Sequence, residues 1–272
     1  MTSRWSARQR VLLGEIGVRL WAPHQTPNAA DRPDPASVDA DASARPGVAE
    51  DPGARAVGSA IAPTTAASPE PAQRLQRTRD MDWPTLRAAV AACTACPLCK
   101  SRTNPVFGVG NPHARWMIVG EAPGEQEDLR GEPFVGKSGQ LLDSMLAALQ
   151  LTRADGSAER QVFIANTLKC RPPGNRNPAP DELAQCEPFL VRQIELVQPS
   201  VIVAMGRFAV QALLRSNDPI GRLRGRVHLY REVPLVVTYH PAYLLRNLLD
   251  KAQAWEDLCL AREIATGTMR RD

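Results

Sequence analysis

A chain of 272 residues has room for one large domain or two small ones. Its formal charge of +4 and pI near 8.9 permit a nucleic-acid partner but fall well short of a histone-like balance. No run approaches the roughly 18 apolar residues that cross a bilayer, and no apolar core with a small-residue cleavage site marks a secretory signal, so a soluble, intracellular protein is expected.

Residues 1–22 form an apolar island, with Val11, Leu12, Leu13, Ile16, Val18, Leu20 and Trp21 behind several arginines. The pattern predicts a short amphipathic helix ending near Gly17 and then an extended piece, together read as a partner-binding peptide. It resembles the N-terminal peptide by which the psi subunit docks on the bacterial replicative clamp loader, and that resemblance implies a clamp-loader or replisome partner. An Arg-rich mitochondrial transit peptide is the competing reading. Residues 23–78 are rich in Ala, Pro, Asp, Ser and Thr and carry no aromatic residue. Such a segment cannot bury enough apolar surface to offset its chain entropy, so a disordered, proline-spaced linker is expected.

The folded unit is expected over 79–272, opening with helical spacing of Trp83, Leu86, Ala89 and Val90. Apolar runs at 116–119, 162–165, 201–205 and 235–238 read as strands. Helical periodicity lies between them at 139–149, 181–197 and 208–214, and a last helix spans about 251–266. Strands alternating with helices predict a three-layer α/β/α fold around a mainly parallel, four-stranded sheet.

Three of the strands run directly into unusual polar segments: GEAPGEQED from Gly120, NTLKCRPPGNRNP from Asn166, and HPAYLLR from His240. Carboxyl ends of parallel strands face one crevice, so these segments predict a shared site. The first carries Glu121, Glu125, Glu127, Asp128 and Glu132, with Phe134 between Pro133 and Val135. Cys93, Cys96 and Cys99 precede the first strand, whereas Cys170 and Cys186 flank the second polar segment. Uneven spacing in an intracellular protein favours a metal site over disulfides, and both zinc and an iron–sulfur cluster satisfy it. Cys259, alone in the last helix, reads as a buried small hydrophobe.

With these motifs the sequence resembles the family 4 uracil-DNA glycosylases, the iron–sulfur type. The matching stretches are GEAPGEQEDLRGEPFVGKSGQLL (120–142), NTLKCRPPGNRNP (166–178), the pair Cys170 and Cys186, and TYHPAYLLR (238–246). The likeness runs from about Cys93 to the last helix. It implies a DNA-repair enzyme that flips uracil out of single- or double-stranded DNA and hydrolyses its N-glycosidic bond, leaving an abasic site. It further implies a [4Fe-4S] cluster on Cys93, Cys96, Cys170 and Cys186, although Cys96 and Cys99 make a second CxxC. A monomer in the bacterial cytoplasm, associated with the nucleoid, is expected.

That chemistry assigns roles. Phe134 is placed to stack on uracil, and the Asn166 amide can read both O4 and N3–H. His240, held by Pro241, can donate to O2 as the leaving group gains charge. Gly120 and Ala122 are expected to line the pocket. By resemblance Glu121 lies at the uracil C5 edge, while Glu127 and Asp128 are candidates for supporting the loop or the water. Tyr243, Leu244, Leu245 and Arg246 suit a wedge with a cation, and Lys169, Arg171, Arg176, Arg222, Arg224 and Arg226 are candidate phosphate contacts. A related covalent uracil-DNA binder would need a basic, His-containing insert where this chain reads RPPGNRNP. A non-enzymatic DNA-binding module would leave the three polar segments without a task.

Overall fold

A computed structural model describes residues 71–268. The expected partner-binding peptide (1–22) and the linker as far as residue 70 lie outside the described residues.

Four runs of Val, Ile, Met and Ala form the centre of the sheet because both of their faces are covered. These are β2 (Trp116–Gly120), β3 (Val162–Asn166), β4 (Val201–Met205) and β6 (Val233–Thr238). β2 pairs in parallel with β3 and β4, and β4 pairs in parallel with β6. The four-stranded expectation is short by two edge strands. β1 (Val109–Gly110) runs antiparallel to β3, and β5 (Val227–Tyr230) runs antiparallel to β6, giving the order β1-β3-β2-β4-β6-β5. β1 is too short to show any period. β5 hides its pattern because its apolar Val227 and Leu229 face outward while His228 and Tyr230 are half-buried.

Alternate strand residues feed two cores. Trp116, Ile118, Ile164, Val203 and Val236 pack against α4 (Lys137–Ala148) and α9 (Lys251–Thr266). Met117, Val119, Phe163, Ile202 and Val237 pack against α2 (Trp83–Ala91), α5 (Pro180–Val197) and α6 (Arg207–Leu214). Sheet and two helical layers make the expected three-layer α/β/α fold.

Pro71–Thr78, the end of the stretch read as linker, is a helix (α1). It is held to α5 chiefly through polar groups. Arg74 lies over the Phe189 ring at 5.1 Å and donates from Nε to the Gln185 carbonyl at 3.0 Å, while Thr78 is buried. Short helices α3 (Glu125–Arg130), α7 (Ile220–Leu223) and α8 (Pro241–Leu244) complete the chain.

Candidate active site

Register brings the expected residues together. Gly120 and Asn166 are paired at the carboxyl ends of β2 and β3, and the zipper continues as Thr167 and Leu168 donate to the carbonyls of Gly120 and Glu121 at 3.0 and 3.1 Å. Beyond β6, His240 arrives beside Gly206, whose N–H donates to the Thr238 carbonyl at 3.0 Å. The ends enclose a cleft of about 400 Å³ lined by Glu121, Ala122, Phe134, Asn166, Pro172 and His240, among others. That is room for one pyrimidine ring and part of its sugar.

Asn166 is 2 % exposed, and its Oδ1 has no hydrogen-bond partner. A buried acceptor left unpaired is costly, so this atom awaits a donor from a ligand. Gly120 forms the floor, since a Cβ there would lie 2.5 Å from both Asn166 Oδ1 and Phe134 Cζ. Phe134 is held in a left-handed backbone conformation (φ 55°), with Arg153 Nη1 donating to the Pro133 carbonyl at 2.7 Å. Its ring faces His240 with centroids 5.4 Å apart and planes 26° from parallel.

His240 Nδ1 accepts the Ala242 N–H at 3.1 Å, which leaves the proton of a neutral ring on Nε2. Burial pushes the imidazole down to about 4, against the raising effect of Glu127 and with help from Arg246. The ring is therefore a neutral donor at physiological pH. Glu121 is half-buried in the cleft wall, and burial raises its pKa against the opposing charge of Arg207.

Of the two tasks open to Glu127, supporting the loop or the water, its hydrogen bonds go to the loop. Its Oε1 accepts the N–H groups of Val135 and Gly136 at 2.9 and 3.1 Å, and its Oε2 accepts that of Gly124 at 3.1 Å. One buried carboxylate thus staples both ends of the loop that carries Phe134. Asp128 acts similarly, accepting the Thr103 N–H on both oxygens at 2.9 and 3.0 Å and tying the segment after the first cysteines to α3.

The expected wedge is corrected in part. Leu244 is fully buried in the core, and Tyr243 is occupied, stacking on Tyr239 at 5.0 Å and donating to Asp250 Oδ2 at 2.8 Å. Leu245 and Arg246 are exposed. Beyond them Leu248 and Leu249 are 57 % and 92 % exposed, two apolar side chains that the motif-based reading stopped short of. Among the phosphate candidates, Lys169 is buried, Arg224 is bound to Asp257 and the Gln253 carbonyl, and Arg176 makes a two-pronged contact with Glu182. Arg171 donates to Asn175 at 2.8 Å, leaving Arg222 and Arg226 as exposed cations.

Five cysteines gather beside the site. Cys93 and Cys96 follow α2, Cys170 lies four residues beyond Asn166, and Cys186 sits in α5; the charges of Cys93 and Cys170 bear on Cys96 and on Cys186. Burial pushes the Cys96 thiol up to about 11 and Cys186 to about 12, so without a metal these groups stay protonated. Yet N–H donors point at three sulfurs: Arg74 Nη2 at Cys93 (3.5 Å), Arg102 Nη1 at Cys170 (3.1 Å) and the Lys169 backbone at Cys186 (3.3 Å). That is the environment of liganding thiolates. Among the described residues no three metal-binding side chains close on a single-ion position. Cys99 is half-buried at the edge of the group, next to the core residue Leu98.

Comparison with known proteins agrees with this geometry. Residues 107–259 match the family model of the uracil DNA glycosylase superfamily. The type-4 uracil-DNA glycosylase of Archaeoglobus fulgidus is 46% identical over 164 residues, covering 57% of this chain and 79% of the relative. That of Thermotoga maritima is 45% identical over 160 residues, 58% of this chain and 80% of the relative. The type-5 uracil-DNA glycosylase of Mycobacterium leprae is more distant, 32% identical over 194 residues, 58% of this chain and 84% of the relative. The chain belongs to the uracil-DNA glycosylase superfamily and resembles its type-4 members most strongly among these three.

Proposed function

We propose that the protein excises uracil from DNA through the Gly120–Phe134–Asn166–His240 cleft, leaving an abasic site for repair. The observation that carries this reading is the buried, unpartnered Asn166 Oδ1 facing the same cleft as a neutral His240 donor. Flipping the nucleotide costs a few kcal/mol, offset by stacking and edge hydrogen bonds in the pocket. Phe134 takes the face of the base, Asn166 Oδ1 accepts N3–H, and its amide donates to O4. Gly120 admits the ring because no side chain stands between those two groups.

As the bond from C1′ to N1 lengthens, negative charge gathers on uracil O2 and positive charge on the sugar; a water oxygen then bonds to C1′, and the proton it sheds balances the one the uracil anion takes up. His240 Nε2–H donates to O2, and a fixed neutral donor lowers the barrier without reorganising. Glu121 faces the C5 edge, where its bulk excludes the methyl group of thymine, and its charge favours the oxocarbenium-like sugar. Glu127 is a staple and not a base. Leu245, Leu248 and Leu249 fill the gap left in the stack, with Arg246, Arg222 and Arg226 on phosphates.

A [4Fe-4S] cluster on Cys93, Cys96, Cys170 and Cys186 fits the sulfur-directed N–H donors and supplies a structural link between α2, the β3 loop and α5. Residues 1–22 are proposed to tether this unit to a replisome protein in the bacterial cytoplasm, so deleting them should abolish such binding and spare excision. The deciding assay is release of free uracil from a uracil-containing oligonucleotide, read beside the visible spectrum of the purified protein. Brown protein that releases uracil, with loss of release in His240→Ala together with Asn166→Ala, agrees with the reading; full activity in that double variant refutes it.

A further inference from the structure

Lys169 was expected on the DNA-facing surface, and it is 1 % exposed. Its ammonium donates to the Asn166 backbone carbonyl at 2.7 Å and to Gln193 Oε1 at 2.6 Å, both neutral acceptors. Gln193 is itself fixed, since its Nε2 donates to the Phe107 carbonyl at 2.8 Å. None of the ion pairs among the described residues gives Lys169 a carboxylate partner. Burial pulls its pKa down to about 8, and the sulfurs of Cys186 and Cys170 act against that shift. A buried ammonium needs a counter-charge, and thiolates bound to iron supply one where protonated thiols do not.

The same residue touches both sites. Its backbone N–H donates to Cys186 Sγ at 3.3 Å, Cys170 is its neighbour in sequence, and its side chain turns back to the residue that reads uracil. We propose that Lys169 is a positioning residue that couples the cysteine cluster to the uracil pocket: its ammonium is the buried counter-charge of the cluster thiolates, and by clamping the Asn166 carbonyl it keeps the Asn166 amide aimed into the cleft. Cluster integrity is then transmitted to base recognition through one side chain. This rests on the iron–sulfur and uracil readings given above.

The test compares wild type, Lys169→Met and Gln193→Leu as full-length, iron-loaded proteins. Met preserves length and removes the charge; Leu removes the amide partner and keeps the charge. Lys169→Met should retain a brown cluster whose reduction potential is more negative than that of wild type, because a nearby positive charge favours the reduced form. Its KM for uracil-containing DNA should rise on the order of tenfold, with a smaller change in kcat. Gln193→Leu should raise KM and leave the potential near wild type. A packing role alone would leave the potential of Lys169→Met unchanged, and that result overturns the proposal. If Lys169→Met fails to fold, a wild-type KM in Gln193→Leu overturns it, and a raised KM with wild-type potential supports it. An iron-free wild-type protein that still releases uracil would defeat the cluster reading and this proposal while leaving the uracil reading intact.

Discussion

Gly120→Ala probes the pocket with a single methyl group. A Cβ at this position would lie 2.5 Å from Asn166 Oδ1, 2.5 Å from Phe134 Cζ and 2.8 Å from Phe134 Cε2. Comfortable carbon contacts begin near 3.5 Å, so one or both neighbours must retreat by roughly 1 Å. Neither is free to do so. Phe134 is fixed by its positive φ and by Gly139, where any Cβ would overlap the Phe134 carbonyl. Asn166 is fixed by the β2–β3 ladder and by Lys169. Overpacking of this kind costs about 1–3 kcal/mol, which for a domain of this size lowers Tm by about 2–12 °C. Displacing a base-reading group by about 1 Å costs on the order of 10²-fold in rate. The assay is single-turnover excision from a labelled uracil oligonucleotide, with thermal melting in parallel and Gly156→Ala as a control, where the added Cβ meets only Thr152 Cγ2 at 3.6 Å. A Gly120→Ala protein with wild-type excision would show that Asn166 and Phe134 do not form the base pocket.

Three further outcomes are expected. Glu127→Gln should lower Tm together with activity, because an amide cannot accept all three loop N–H groups and hydrogen bonds to a charged group are worth about 1.5–3 kcal/mol each; unchanged Tm with lost kcat would instead restore it as a base. Because His240 titrates only near pH 4, it stays neutral as pH falls from 8 to 5, and kcat/KM should show no inflection between pH 6 and 7; an inflection there that disappears in His240→Asn would contradict the neutral donor. Leu249→Ala should reduce excision on the order of tenfold in duplex DNA and far less in single strands, since only the duplex must be unstacked; equal losses on both substrates would remove Leu249 from the wedge.

The centre of the fold was legible because β2, β3, β4 and β6 are covered on both faces and therefore read as unbroken apolar runs. The edges were not. β1 has two residues, β5 turns its apolar side chains outward, and α1 is held by Arg74 and Thr78 in a stretch whose composition argues for a linker. The shared crevice followed from position, since Gly120, Asn166 and His240 stand at or just beyond the ends of parallel strands, whereas the roles within it came from the family resemblance. What sequence could not supply was the direction of side chains in irregular backbone, where no period constrains them. Leu244 points into the core while Leu249 points out, and Lys169 turns inward among arginines that face water. Glu127 and Glu121 are alike as letters, and only the three N–H groups around Glu127 separate a staple from a pocket wall.

These anchors explain why so irregular a site can be exact in its geometry. The cleft is built from three loops at the carboxyl edge of the sheet, and loops have no ladder to hold them. Each carries a different internal tie. The 121–136 loop closes on the Glu127 carboxylate. The 239–250 segment is pinned by Leu244 in the core and by the Tyr239–Tyr243–Asp250 contacts. The 167–179 segment contributes Pro172, Asn175 and Arg176 to the cleft, with Lys169 and Cys170 near its start. This last loop also closes on a carboxylate, since Glu182 accepts the Ala179 N–H at 2.8 Å and both prongs of the Arg176 guanidinium.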